Sequence, residues 1–94
     1  MEKLGFTVQD LSEVLARQFG YERYQGVLIS QVMPRSPAQF AGLRPGVLIT
    51  EVNKKAVGNT EDFLKALEES LKMKRVLLLV QDRQYARYVV LDLG

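Results

Sequence analysis

The chain has 94 residues, 47% apolar and 26% charged, with a formal charge of +2; these proportions fit one globular domain spanning residues 1–94 with a single core. It has no Cys and no His, which excludes disulfides, thiolate chemistry, and Ser-His-Asp or Cys-His catalysis. No apolar run has the length of a membrane span and none resembles a signal peptide, so the native chain is expected to extend upstream of Met1.

The first pattern is the stretch Lys3-Leu4-Gly5-Phe6-Thr7-Val8-Gln9, in which Leu4, Phe6 and Val8 alternate with polar residues, as in an edge strand with one apolar face. Asp10 and Glu13 are spaced as a capping box, with Ser12 as a competing cap. Val14, Leu15 and Phe19 then recur at helical spacing, and Gly20 ends a short helix predicted over 11–19. Tyr21 to Gln25 read as a polar connector. Residues 26–32, rich in β-branched side chains, predict a strand. Ser36-Pro37 sets a capping hydroxyl before a proline at the first helical position, and Gly42 closes a one-turn helix over 38–41.

A turn over 43–46 leads into a strand over 47–52, and Asn53-Lys54 is a tight turn. The next helix has Asn59 as its cap and Asp62 three residues later, with Glu61 and Asp62 at the positive end of the dipole. Phe63, Leu64, Leu67 and Leu71 form its apolar stripe, with Ala66 between them; Phe63 and Leu71 are assigned to the core, and Leu64 to the side facing a ligand. The nearly continuous apolar run 75–81 predicts a central strand buried on both faces, and Asp82-Arg83-Gln84 turns into a last strand over 85–93. The strands joined by turns, with helices packed at the ends, describe an α+β partly open barrel.

Lys54, Lys55, Lys72, Lys74, Arg75 and Arg83 stand near turns, with acids interleaved elsewhere, and read as solvated surface charge, not a nucleic-acid face. Ser12, Ser30, Ser36 and Ser70 fall at caps, strands or helix positions without an activating base. No metal-ligand cluster, P-loop or dinucleotide fingerprint occurs, so no catalytic residue, metal or cofactor is assigned.

Three pieces coincide: the Leu4-Gly5-Phe6 loop, the Ser36-Pro37-Ala38 to Ala41-Gly42-Leu43-Arg44-Pro45-Gly46 segment, and Val52-Asn53 before the helix. Together they resemble a PDZ domain across nearly the whole chain. The order of the pieces is similar to the bacterial, circularly permuted arrangement, and the nearest likeness is to the HtrA/Deg family of periplasmic serine proteases. Leu4 to Leu11, Ala16 to Gly20 and the 75–93 hairpin resemble the second, C-terminal PDZ domain of that family. Two positions depart from the family pattern: Val47 stands where an Asp is usual, and Asn53-Lys54 where Asn-Gly is usual.

The resemblance implies a PDZ-like partly open β-barrel of five to six strands capped by two helices. It also implies a non-catalytic module that captures hydrophobic C-terminal peptides by strand addition. Backbone N–H groups of Leu4, Gly5 and Phe6 would hold the terminal carboxylate, since Gly5 lets the chain curl without a Cβ clash, and Lys3 would add a cationic contact. The peptide would lie beside Phe6, Thr7, Val8 and Gln9. Leu4, Phe6 and Val8 would floor the pocket, and Thr60, Leu64 and Leu67 would wall it. Expected partners are C-terminal or unfolded hydrophobic segments and other subunits or domains of a parent periplasmic protease, with no nucleic acid and no membrane span in this chain. Two rival readings remain open. One is an assembly module joining protease subunits without binding substrate; the other is a PDZ domain of an intramembrane metalloprotease or secretion-system protein.

Overall fold

In the computed structural model, which describes residues 4–22 and 25–92, the chain runs as β1 (Phe6–Asp10), α1 (Glu13–Phe19), β2 (Val27–Val32), α2 (Pro37–Phe40), β3 (Leu48–Val52), β4 (Lys55–Ala56), α3 (Thr60–Ser70), β5 (Arg75–Gln81) and β6 (Ala86–Asp92). The strands form one antiparallel, open six-stranded sheet in the order β1-β2-β3-β5-β6, with the short β4 paired to β3. β1 and β6 are therefore the two ends of the strand order. This is the α+β architecture of turn-linked strands and packed helices expected from the sequence.

Local chemistry explains the boundaries. Ser12, not Asp10, caps α1 by accepting from Leu15 N–H at 3.1 Å; Asp10 is engaged elsewhere. Ser36 Oγ accepts from Gln39 N–H at 3.1 Å and donates to Met33 O at 2.7 Å, and Pro37 opens α2 where its missing N–H costs nothing. Asn59 accepts from Asp62 N–H at 2.8 Å at the start of α3. Asn53 and Lys54 both adopt positive φ (51° and 68°), the combination required by a type I′ hairpin turn. Their hairpin adds β4, a two-residue strand too short to leave a pattern in the sequence. Asn53 also fixes this corner: its Oδ1 accepts from Leu77 N–H at 2.9 Å and its Nδ2 donates to the buried Ser70 hydroxyl.

The sheet has apolar side chains on both faces, unequally covered. Phe6, Val27, Ile29, Ile49, Val52, Val76, Leu78 and Leu91 point into the main core with Phe63 and Leu67 of α3. On the other face Leu28 and Leu48 meet Leu11, Ala16 and Tyr21, with Leu15 and Phe19 packed around them. The doubly covered strands are thus β2 and β3, which corrects the expectation for β5. Val76, Leu78 and Val80 are buried, but Leu77 and Leu79 are half-buried because α1, the cover on that face, sits over β2 and β3.

Two apolar assignments also change. Leu71 is exposed, not core: α3 ends at Ser70, and the 3₁₀ turn that follows carries Leu71 to solvent. Val14 is likewise exposed, since α1 turns Ala16, with Leu15 and Phe19, toward the second cluster.

Candidate peptide-binding site

The site begins at the loop before β1. Gly5 has φ +83°, and a Cβ placed there would lie 2.0 Å from Ser36 Cβ. Only glycine satisfies both the left-handed backbone and that contact. Two of the sequence pieces, Leu4-Gly5-Phe6 and Ser36-Pro37-Ala38, therefore touch each other. Their coincidence in the sequence has a steric cause.

The loop is also tied by its carbonyls. Leu4 O accepts from Ala38 N–H at 3.1 Å, and Gly5 O accepts from Met33 N–H at 2.7 Å. In a trans peptide the C=O and the following N–H point in opposite directions, and no cis bond is present among the described residues. Holding those two carbonyls toward α2 and β2 therefore turns the N–H groups of Gly5 and Phe6 the other way. The Gly5 N–H thus aims away from α2, and the Phe6 N–H away from Met33 at the end of β2.

Thr7 is exposed, and its hydroxyl shares a 2.8 Å hydrogen bond with Ser30 on β2. Leu4 and Phe6 are buried and Val8 is half-buried against the main core. Across from β1, Thr60, Leu64 and Leu67 follow one stripe of α3 at i, i+4 and i+7 spacing. Leu67 is buried in the same cluster as Leu4 and Phe6, Thr60 is half-buried, and Leu64 is 48% exposed. The Phe6 and Phe63 rings meet at 6.2 Å between centroids and 60° between planes, joining strand to helix beneath the surface. Lys3 lies outside the described residues.

Asp10 supplies a feature that the sequence reading assigned elsewhere. Its Oδ1 accepts from Thr60 N–H at 2.7 Å, fastening the first turn of α3 to the end of β1. A carboxylate is well suited to that place, at the positive end of a helix dipole. The spacing to Glu13 suggested a local cap; only the packing of α3 against β1 reveals the distant partner.

Tyr21, read as part of a connector, is buried, and its hydroxyl donates to Gly46 O at 2.6 Å and Gln81 O at 2.9 Å. Burial raises its pKa above the ordinary tyrosine value, and the nearby Asp82 carboxylate adds to the shift. Among the described residues there is no group of three or more Asp, Glu, His or Cys placed to hold a metal, and no helix long and apolar enough to cross a membrane.

Residues 28–82, more than half of the chain, match the family model of the PDZ domain. The chain belongs to the PDZ domain family. This PDZ domain is a non-catalytic module with curated relatives among DegP-like and HtrA proteases. It is 34% identical over 92 residues to a probable periplasmic serine endoprotease DegP-like of Chlamydia trachomatis, covering 97% of this chain and 18% of that protein. A protein of the same description from Marinomonas sp. is 44% identical over 60 residues, covering 64% of this chain and 13% of the relative. The chain thus spans less than a fifth of the length of these relatives. Among solved structures, the HtrA3 PDZ domain bound to a phage-derived ligand (FGRWV) superposes with a TM-score of 0.77 at 22% identity, covering 95% of this chain and 81% of that one. The HtrA-type protease AlgW with a decapeptide gives 0.72 at 20% identity, covering 95% and 27%. These two likenesses concern the fold.

Proposed function

We propose that this PDZ domain captures the hydrophobic C-terminal end of a polypeptide by strand addition to β1, on behalf of a linked periplasmic serine protease. The observation that supports this reading best is the pair of outward N–H groups at Gly5 and Phe6, fixed by the inward carbonyls of Leu4 and Gly5. Two outward donors beside an edge strand suit a terminal carboxylate. Leu4, Gly5 and Phe6 form the carboxylate loop, with Lys3 as a cationic neighbour. Phe6, Thr7 and Val8 supply the strand edge, and Thr60, Leu64 and Leu67 supply the wall that receives the last side chain.

Burial of one Val, Leu or Phe side chain contributes about 1.5–3 kcal/mol, and each strand hydrogen bond about 1 kcal/mol net. These gains are offset by the entropy of association; the affinity expected of the domain is on the order of micromolar, which corresponds to about −8 kcal/mol. An apolar terminal residue agrees with the ligand FGRWV named for the HtrA3 structure. The periplasm and the protease are carried over from the names of the relatives.

The test is titration with short peptides ending in Val, Leu or Phe, each as the free acid and as the C-terminal amide. Binding that requires the free acid supports the reading. Equal binding of both forms overturns the loop assignment, and binding of neither form to the folded domain overturns capture.

An assembly role is the second reading. It is favoured by the outer face of the β5–β6 hairpin, where Leu77 and Leu79 are half-buried and Tyr88 and Val90 exposed, on a strand at one end of the strand order. Loss of oligomers in the full-length protein on Val90→Lys, with peptide binding intact, would support it.

A further inference from the structure

A second concavity of about 630 Å³ lies away from the β1–α3 groove, where the end of α1, the α2–β3 loop and the β5–β6 turn converge. Its lining includes Arg44, Arg83 and Arg87, the aromatic residues Phe19, Tyr21 and Tyr85, and Asp82. None of the residues assigned to the groove takes part.

The three arginines are placed differently. Arg83 donates to Phe19 O at 2.9 Å and Gln18 O at 3.4 Å, so it is fixed over the C-terminal carbonyls of α1. Arg87 gives one N–H to Gly42 O at 3.1 Å. Arg44 is exposed, and its guanidinium makes no hydrogen bond or ion pair with any described residue, although its carbonyl accepts from Val47 N–H at 3.2 Å. The one carboxylate present, Asp82, already accepts from Gln84 N–H at 2.8 Å and Tyr85 N–H at 3.0 Å. Positive charge therefore exceeds negative in a recess with aromatic walls, and part of it is unengaged.

We infer that this cleft is a second ligand site that takes an acidic peptide segment, its side-chain carboxylates on Arg44 and Arg87 and a neighbouring apolar side chain against Phe19 and Tyr85. Guanidinium groups pair with carboxylates through two parallel hydrogen bonds, and the flanking rings favour an apolar neighbour of the acid. A nucleic acid is disfavoured because the recess gathers only three cations, with no basic stripe of the length that a phosphate backbone would follow. The site would let the domain hold an acidic stretch of a partner while the groove holds a C-terminus.

The experiment is a ¹⁵N chemical-shift titration of the chain with acetyl-Glu-Leu-Glu-Phe-Glu-amide, whose blocked end removes the terminal carboxylate the groove would need. The expected result is movement of the Arg44, Gly46, Tyr85 and Arg87 amides, with affinity falling several-fold as salt rises from about 50 to about 500 mM. Arg44→Glu should weaken it by about tenfold, equivalent to about 1.4 kcal/mol, while Leu64→Glu leaves it unchanged. The inference is overturned if the Gln counterpart of the peptide binds equally, if the shifts fall on β1 and α3, or if no cleft amide moves. It is also overturned if oligo(dT) moves the cleft amides and the acidic peptide does not. Because the probe lacks a free C-terminus, failure here leaves the C-terminal capture reading to its own test.

Discussion

The β1–α3 groove and the arginine-lined cleft are built by opposite means. The groove uses backbone groups and apolar side chains: two oriented amides, a free strand edge, and Leu64 above buried Leu67. The cleft uses guanidinium groups and rings brought from three separate segments, over a buried tyrosine that joins Gly46 O to Gln81 O. In the groove the fold itself aims the donors, so almost any side-chain change that preserves the loop preserves them. In the cleft the side chains are the donors, and the fold only gathers them. Substitutions should therefore separate the two regions cleanly.

The largest effect is expected at Gly5. Gly5→Ala combines left-handed strain with overlap against Ser36 and should cost about 2–5 kcal/mol, read as a lower urea midpoint together with lost C-terminal peptide binding. Adding Ser36→Gly removes the overlap but not the strain, so the double variant should recover part of the loss. Because Ser36→Gly also removes the α2 cap and the bond to Met33 O, the comparison is with Ser36→Gly alone: a Gly5→Ala cost as large in that background as in the native chain would refute the shared steric cause. Next, Leu64→Glu should lower affinity for apolar C-termini at least about tenfold, while stability changes by no more than about 1 kcal/mol because the side chain is half exposed. A large stability loss would show that Leu64 serves the core.

Tyr21→Phe removes the hydroxyl shared by two carbonyls and should cost about 1–2 kcal/mol in chemical denaturation. Its amide-shift changes should centre on residues 46 and 81, and spread into β1 would contradict the independence of the two regions.

The smallest effect concerns acid. Backbone N–H groups of Tyr85, then Gln84, hold the Asp82 carboxyl below the ordinary carboxylate range, with Arg87 assisting. A depressed folded-state pKa contributes stability that is present above the unfolded-state value and is lost as pH falls through the folded-state value. The Gln84 and Tyr85 amide resonances should therefore shift in strongly acidic solution, below the usual carboxylate titration, and Asp82→Asn should abolish that step.

The elements that frame the proposed groove were legible in the sequence because their signals are local. The Leu4-Gly5-Phe6 alternation, the Ser36-Pro37 cap and the Asn59 cap each concern neighbouring residues, and each forms as expected. Misreadings arose where the partner is distant. Asp10 looked like a cap for α1 because Glu13 lies three residues on, yet its partner Thr60 is on another element. The run 75–81 looked doubly buried because composition cannot report where α1 will lie. Leu71 continued the stripe of α3, but buried Ser70, bonded to Ala66 O and Asn53, ends the helix first. The cleft had no local signature at all: residues 19, 44 and 85 are unrelated until the sheet closes.

The Asp10–Thr60 hydrogen bond spans 50 residues, and that separation bears on when the groove comes into being. Contacts between distant segments require closure of a long loop before any energy is returned, so they tend to form late in folding. The walls of the groove, β1 and α3, come together only when the intervening sheet is in place. A chain interrupted before α3 would present the Leu4-Gly5-Phe6 loop without an opposing wall. Affinity for a C-terminal peptide would then register completion of the domain, appearing in refolding after the hairpins have paired and vanishing first when the long-range contacts loosen.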